Sequence, residues 1–76
     1  MVVTPDRAAG TVRLAMGHWS EVIPVSALRG RLELYRGLWG RGSKTKGGPG
    51  PWAGFYEQNV QVLTAALREV EAWKDG

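Results

Sequence analysis

The residues best suited to chemistry crowd into one stretch, Leu28 to Trp52, which reads LRGRLELYRGLWGRGSKTKGGPGPW. It holds Arg29, Arg31, Arg36, Arg41, Lys44 and Lys46, six of the ten basic residues, and a single acid, Glu33. Cations in this density suit phosphate groups or an acidic protein surface. Residues 29–46 carry a formal charge of +5 and the rest of the chain −2, so a mildly acidic body bears one basic segment. Arg29, Arg36, Arg41, Lys44 and Lys46 are the candidates for phosphate or acidic-partner contacts. Tyr35 and Trp39 interleave with them, as in nucleic-acid-binding surfaces. Both also fall on the apolar stripe of a helix, where core packing claims them.

Catalytic chemistry finds less support. A triad needs a nucleophile, a base and an orienting acid in one geometry. His18 stands beside Trp19 and Ser20 and near Glu21, but adjacency in sequence is not that geometry. With one histidine and no cysteine there is no zinc-ligand set, and the seven acids form no calcium loop. Gly37 to Thr45, GLWGRGSKT, comes near a phosphate-binding loop. Ser43 intrudes between Gly42 and Lys44, and a helical pattern precedes it where a strand should. No catalytic residue, no cofactor and no metal are expected.

The elements that must position these residues follow from periodicity. Thr4-Pro5-Asp6 has the residue types of a helix start, with a capping threonine, proline at the first turn and an acid at the positive end. Ala8, Val12, Ala15 or Met16, and Trp19 then recur at helical spacing, which predicts a helix over 5–19. Pro24 ends that run, and Val25, Leu28, Leu32, Tyr35 and Trp39 predict a second helix over 24–39, with Leu34 and Leu38 broadening its apolar stripe. Gly40 to Gly50 is a basic, glycine-rich loop without an apolar residue, expected to be mobile. Pro51 opens a third helix over 51–74, carried by Tyr56, Val60, Leu63, Leu67, Val70 and Trp73 or Lys74. The expected fold is therefore all-α, a three-helix bundle. The alternative is α+β: Thr11 to Met16 also alternates with period two, Gly10 and Gly17 bracket it, and a β-hairpin at 11–25 turning near Gly17-His18 would precede two helices.

Residues 1–76 make one small domain, because a chain of this length supports a single core. Such a core is marginal without disulfides or metals, so aromatic burial or self-association must contribute. Four tryptophans serve that need, and a three-helix core does not consume every large aromatic. Trp19, Trp52, Phe55 and Trp73 are the candidates for protein contact. No run of roughly 18 apolar residues is present, so no membrane span is expected. Met1 to Gly10 lacks the basic start and apolar core of a secretory signal, and a cytoplasmic location is expected.

At Leu28-Arg29-Gly30-Arg31-Leu32-Glu33-Leu34, and again at Gly48-Pro49-Gly50-Pro51 leading into Val60 to Trp73, the chain resembles a group of small actinobacterial proteins. Members carry a helix of the form LRGH-x-x-LL and, after a variable segment, a proline-glycine stretch opening a final amphipathic helix. The group is known mainly from Streptomyces-type genomes and phages and is loosely labelled as associated with natural-product biosynthesis. The resemblance covers residues 9–73. Arg31 stands where the group usually has histidine, and the middle segment is shorter. The resemblance implies an all-helical fold and brings no catalytic residues. The expected function is a non-catalytic binding or regulatory protein, a phage or actinobacterial accessory factor, acting on a protein partner or as a homo-oligomer (a dimer). The alternative is a nucleic-acid-binding protein using residues 29–46 on phosphates.

Overall fold

A computed structural model describes residues 1–73; Lys74, expected to close the last helix, lies outside the described residues. The chain is α+β, which overturns the all-α expectation and the fold implied by the resemblance. Three strands, β1 (Val2–Asp6), β2 (Thr11–Met16) and β3 (Trp19–Pro24), form an antiparallel sheet in the order β1-β2-β3. A short 3-10 turn, Val25–Ala27, leads into helix α1 (Leu28–Gly40), and helix α2 (Ala53–Ala72) follows the loop. The alternative with a hairpin at 11–25 and two helices matches this order.

The helix expected over 5–19 fails for identifiable reasons. Pro5 sits in the edge strand β1, where a missing N–H is tolerated. Asp6 caps a turn, not a helix: its Oδ1 accepts the Ala9 N–H at 3.1 Å, and its carbonyl accepts the Gly10 N–H at 2.9 Å. Met16 pairs with Trp19, leaving Gly17 and His18 as a two-residue turn. Gly17 has φ +60°, as the first central position of a type II′ hairpin turn requires. Val12 and Met16 lie one helical turn apart and also two strand steps apart, so they fitted both periods.

Cross-strand partners share a face of a sheet. Val3, Leu14 and Glu21 are in register on the inner face, as are Pro5, Val12 and Ile23. Val12, Leu14 and Ile23 join Leu28 and Leu32 of α1 and Leu63, Ala66 and Val70 of α2 in one core. Full burial of a side chain such as Leu14 or Leu63 contributes about 1.5–3 kcal/mol. The outer face of the sheet, with Val2 and Val22, is uncovered.

Glu21 is a charged residue on the apolar face, beside fully buried Leu14. Arg31 of α1 reaches down to it with two hydrogen bonds, 2.8 Å and 2.9 Å long. A bidentate guanidinium–carboxylate pair is directional, so it fixes how α1 lies on the sheet. The hydrogen bonds from Arg31 hold the Glu21 carboxyl below its ordinary value of 4.5. A carboxyl lowered in the folded state stabilises fully above its ordinary value, and that contribution disappears as pH falls through the folded value. Glu21→Gln is therefore expected to unfold at lower urea than the parent at pH 7, with the gap shrinking by pH 3. A gap of equal size at both pH values would contradict the pairing.

Candidate functional site

Helix α1 starts from the end of β3 and brings Arg31 back over Glu21, so it runs antiparallel to β3. Leu34 and Leu38 follow Arg31 by about one and two turns on the sheet-facing side. Helix α2 presents Val62, Ala65, Ala66 and Glu69 to Met1, Val2, Val3 and Pro5. Phe55 lies two turns before Val62 on that same side. With 20 residues, α2 is about 30 Å long. The strands have at most six residues and span about 20 Å. The first turns of α2 and the last turns of α1 thus extend past the sheet.

That overhang carries three of the exposed large apolar side chains, Leu34, Trp52 and Phe55. Trp52 is 62% exposed and Phe55 78%, although each has the size to fill a core position. Their rings meet edge to face at 6.4 Å, and Phe55 leans on Tyr56 at 6.2 Å, which in turn meets Tyr35 of α1 at 6.1 Å. Leu38, Arg41, Trp52, Phe55 and Tyr56 line a groove between the two helices. Leu34, 57% exposed, lies one turn along α1 from Leu38. Met16 and Trp19, at the β2–β3 turn, are half-exposed on the inner face at the end of the sheet.

The glycine-rich loop is folded back on itself. The Gly50 N–H donates to the Trp39 carbonyl at 2.9 Å and closes the segment where it began. Ser43 accepts the Thr45 N–H on its Oγ and donates to the Thr45 carbonyl, and the Gly48 N–H donates to that carbonyl as well. At Gly50 the backbone passes so close to Arg41 that a Cβ would overlap the Arg41 carbonyl. On the side of the helix pair away from the sheet, Arg36, Trp39, Gly47, Gly48, Glu57 and Val60 line a second hollow. The Trp39 indole N–H donates to Glu57 there.

The six basic residues of segment 29–46 divide into two sets. Arg29 pairs with Glu71 across the helices at 3.1 Å, not with Glu33 on its own helix, and Arg31 pairs with Glu21. Arg36, Arg41, Lys44 and Lys46 make no ion pair among the described residues. Of the expected contact aromatics, Trp52 and Phe55 come together beside Arg41, while Trp19 stands apart at the sheet end. Trp73 packs against the core, and its carbonyl accepts a hydrogen bond from Arg7. Leu34 and Leu38 looked like core from spacing alone and belong to the exposed patch. His18 is exposed in the β2–β3 turn. No helix of the described residues is long and apolar enough to cross a membrane.

Comparison of the chain with protein-family models, curated proteins and solved structures gives no match. The geometry of the loop yields a direct check. Gly50→Ala should force the loop open, and trypsin should then cut after Arg41, Lys44 and Lys46 several-fold faster than in the parent. Unchanged cleavage would show that the Gly50 crossing does not hold the loop.

Proposed function

We propose that this chain is a non-catalytic binding protein that works through protein–protein contact at the overhanging end of its helix pair. The observation that carries this is the exposure of Trp52 and Phe55 beside Leu34, Leu38 and Arg41. A contiguous apolar patch rimmed by polar groups is a common mark of an interaction surface. Tryptophan, phenylalanine and arginine are also the residue types enriched there. The chain would serve as an accessory or regulatory factor in the cytoplasm, with actinobacteria and their phages as the setting its resemblance suggests.

A nucleic-acid-binding role has one observation in its favour: Arg36, Arg41, Lys44 and Lys46 make no ion pair among the described residues, and Arg41 stands beside exposed Trp52 and Phe55. Single-stranded nucleic acids use that combination. Leu34 and Leu38 favour a protein, because an aliphatic side chain offers no face on which a base stacks. Arg29, a candidate phosphate contact, is already held by Glu71.

Replacing Phe55 with a photoreactive phenylalanine, in cells that make the protein, tests the assignment. A discrete protein adduct that disappears with Trp52→Ala is expected, and the same probe at Val22 should give none. A nucleic-acid adduct would contradict the assignment, as would no adduct at all. Trp52 and Phe55 should matter little to folding: the Trp52→Ala, Phe55→Ala double variant should stay within about 1 kcal/mol of the parent in urea unfolding. Leu63→Ala, a core truncation, should cost about 2–5 kcal/mol. A comparable loss in the double variant would make the patch structural.

A further inference from the structure

We infer that the overhang receives an acidic amphipathic helix of a partner protein. This rests on the protein-contact surface proposed above and names what fits it. From Leu34 to Tyr56 the chain contains no acid and four bases, Arg36, Arg41, Lys44 and Lys46. None of these four makes an ion pair among the described residues, whereas Arg29 and Arg31, earlier on α1, are matched by Glu71 and Glu21. Glu33, the acid just before the stretch, lines a hollow with Arg29, Leu32 and Arg36 and not the groove at Leu38. Glu57, the first acid after the stretch, is bonded by the Trp39 indole and by Gln61, and Glu69 and Glu71 lie near the other end of α2.

The shape agrees with the charge. The groove of Leu38, Arg41, Trp52, Phe55 and Tyr56 lies between the two helices. Leu34 extends its apolar floor along α1. An amphipathic helix lays side chains three, four and seven residues apart into such a groove. Glutamates flanking that apolar stripe would meet Arg41 on the groove wall and the lysines of the adjoining loop. Electrostatic complementarity of this kind speeds encounter and rejects wrong partners.

A second copy fits less well. A two-fold contact places the same patch against itself, which would bring two copies of Arg41 and the adjoining loop lysines together. A head-to-tail contact from this surface to the acids near the end of α2 is heterologous and yields a ring or an open filament, not a two-fold dimer. A nucleic acid would satisfy the cations but leave Leu34 and Leu38 without complementary surface.

The probe is a synthetic 18-residue helix with leucine and phenylalanine at three-four spacing and glutamate elsewhere. Its controls are a scrambled peptide of the same composition and a version with lysine for glutamate. Fluorescence anisotropy should show saturable one-to-one binding of the glutamate helix, at least tenfold tighter than either control, weakening as salt rises. Trp52→Ala should reduce it at least tenfold, and so should the joint change Arg41→Glu, Lys44→Glu. Near-identical affinity of the scrambled peptide would overturn the inference, as would no binding by the glutamate helix. Sedimentation and a single-stranded oligonucleotide complete the test. A dimer dissolved by Trp52→Ala would overturn the acidic partner and leave the protein-contact surface standing. Oligonucleotide binding that outcompetes the peptide would remove both.

Discussion

The mismatch in length between sheet and helices governs this structure. Strands of five or six residues cannot underlie a helix of 20. The half of the helix pair above the sheet buries Leu28, Leu32, Leu63, Ala66 and Val70 against Val12, Leu14 and Ile23. The other half packs helix on helix through Tyr35 and Tyr56, and the loop folds back onto it at Trp39. Its sheet-facing side carries large apolar residues that the sheet is too short to cover. The longest dimension of 42 Å and the shortest of 15 Å reflect this extended, thin arrangement.

Two cations of α1 hold it to its neighbours where the helices lie on the sheet: Arg31 ties α1 to Glu21, and Arg29 ties α1 to Glu71 of α2. The first pair settles the lone carboxylate of the inner sheet face. The second is more exposed and adds little to stability, as surface pairs do. Beyond the sheet Arg36, Arg41, Lys44 and Lys46 have no ion pair among the described residues, and Trp52 and Phe55 are exposed. A surface that is both apolar and of one sign is disfavoured in isolation and suited to a complementary partner. The loop between the helices joins this surface because Gly50 folds it back onto Trp39 and Arg41.

Much of this was legible in the residues, and the failures have physical causes. Both helices were visible, since Val25 to Trp39 and Tyr56 to Trp73 hold a three-four pattern over several turns. Thr11 to Trp19 carried the hairpin, in its alternation and in Gly17. It lost to a helix because Thr4-Pro5-Asp6 has the same residue types whether it caps a helix or turns an edge strand. Strand β1 was hidden, for only Val2 and Val3 precede Pro5 and an edge strand with one buried face needs few apolar residues. Trp52 and Phe55 were legible as surplus aromatics, and the basic set was visible in composition. Leu34 and Leu38 were misplaced because helical spacing reveals which side is apolar, not whether anything covers it. The partners of Arg29 and Arg31 lie 42 and 10 residues away, and no local pattern points to them.

Amide hydrogen exchange on the free chain tests the central claim, that the sheet covers only half of the helix pair. Amides of α1 near Leu32 and of α2 from Leu63 to Val70 should exchange only with global unfolding, because the sheet and core hold them. Amides of α1 after Tyr35 and of α2 before Val60 should exchange faster, at one common level, because the overhang opens as a unit. Equally slow exchange along both helices would contradict the account, since it would mean that something other than the sheet protects the overhang.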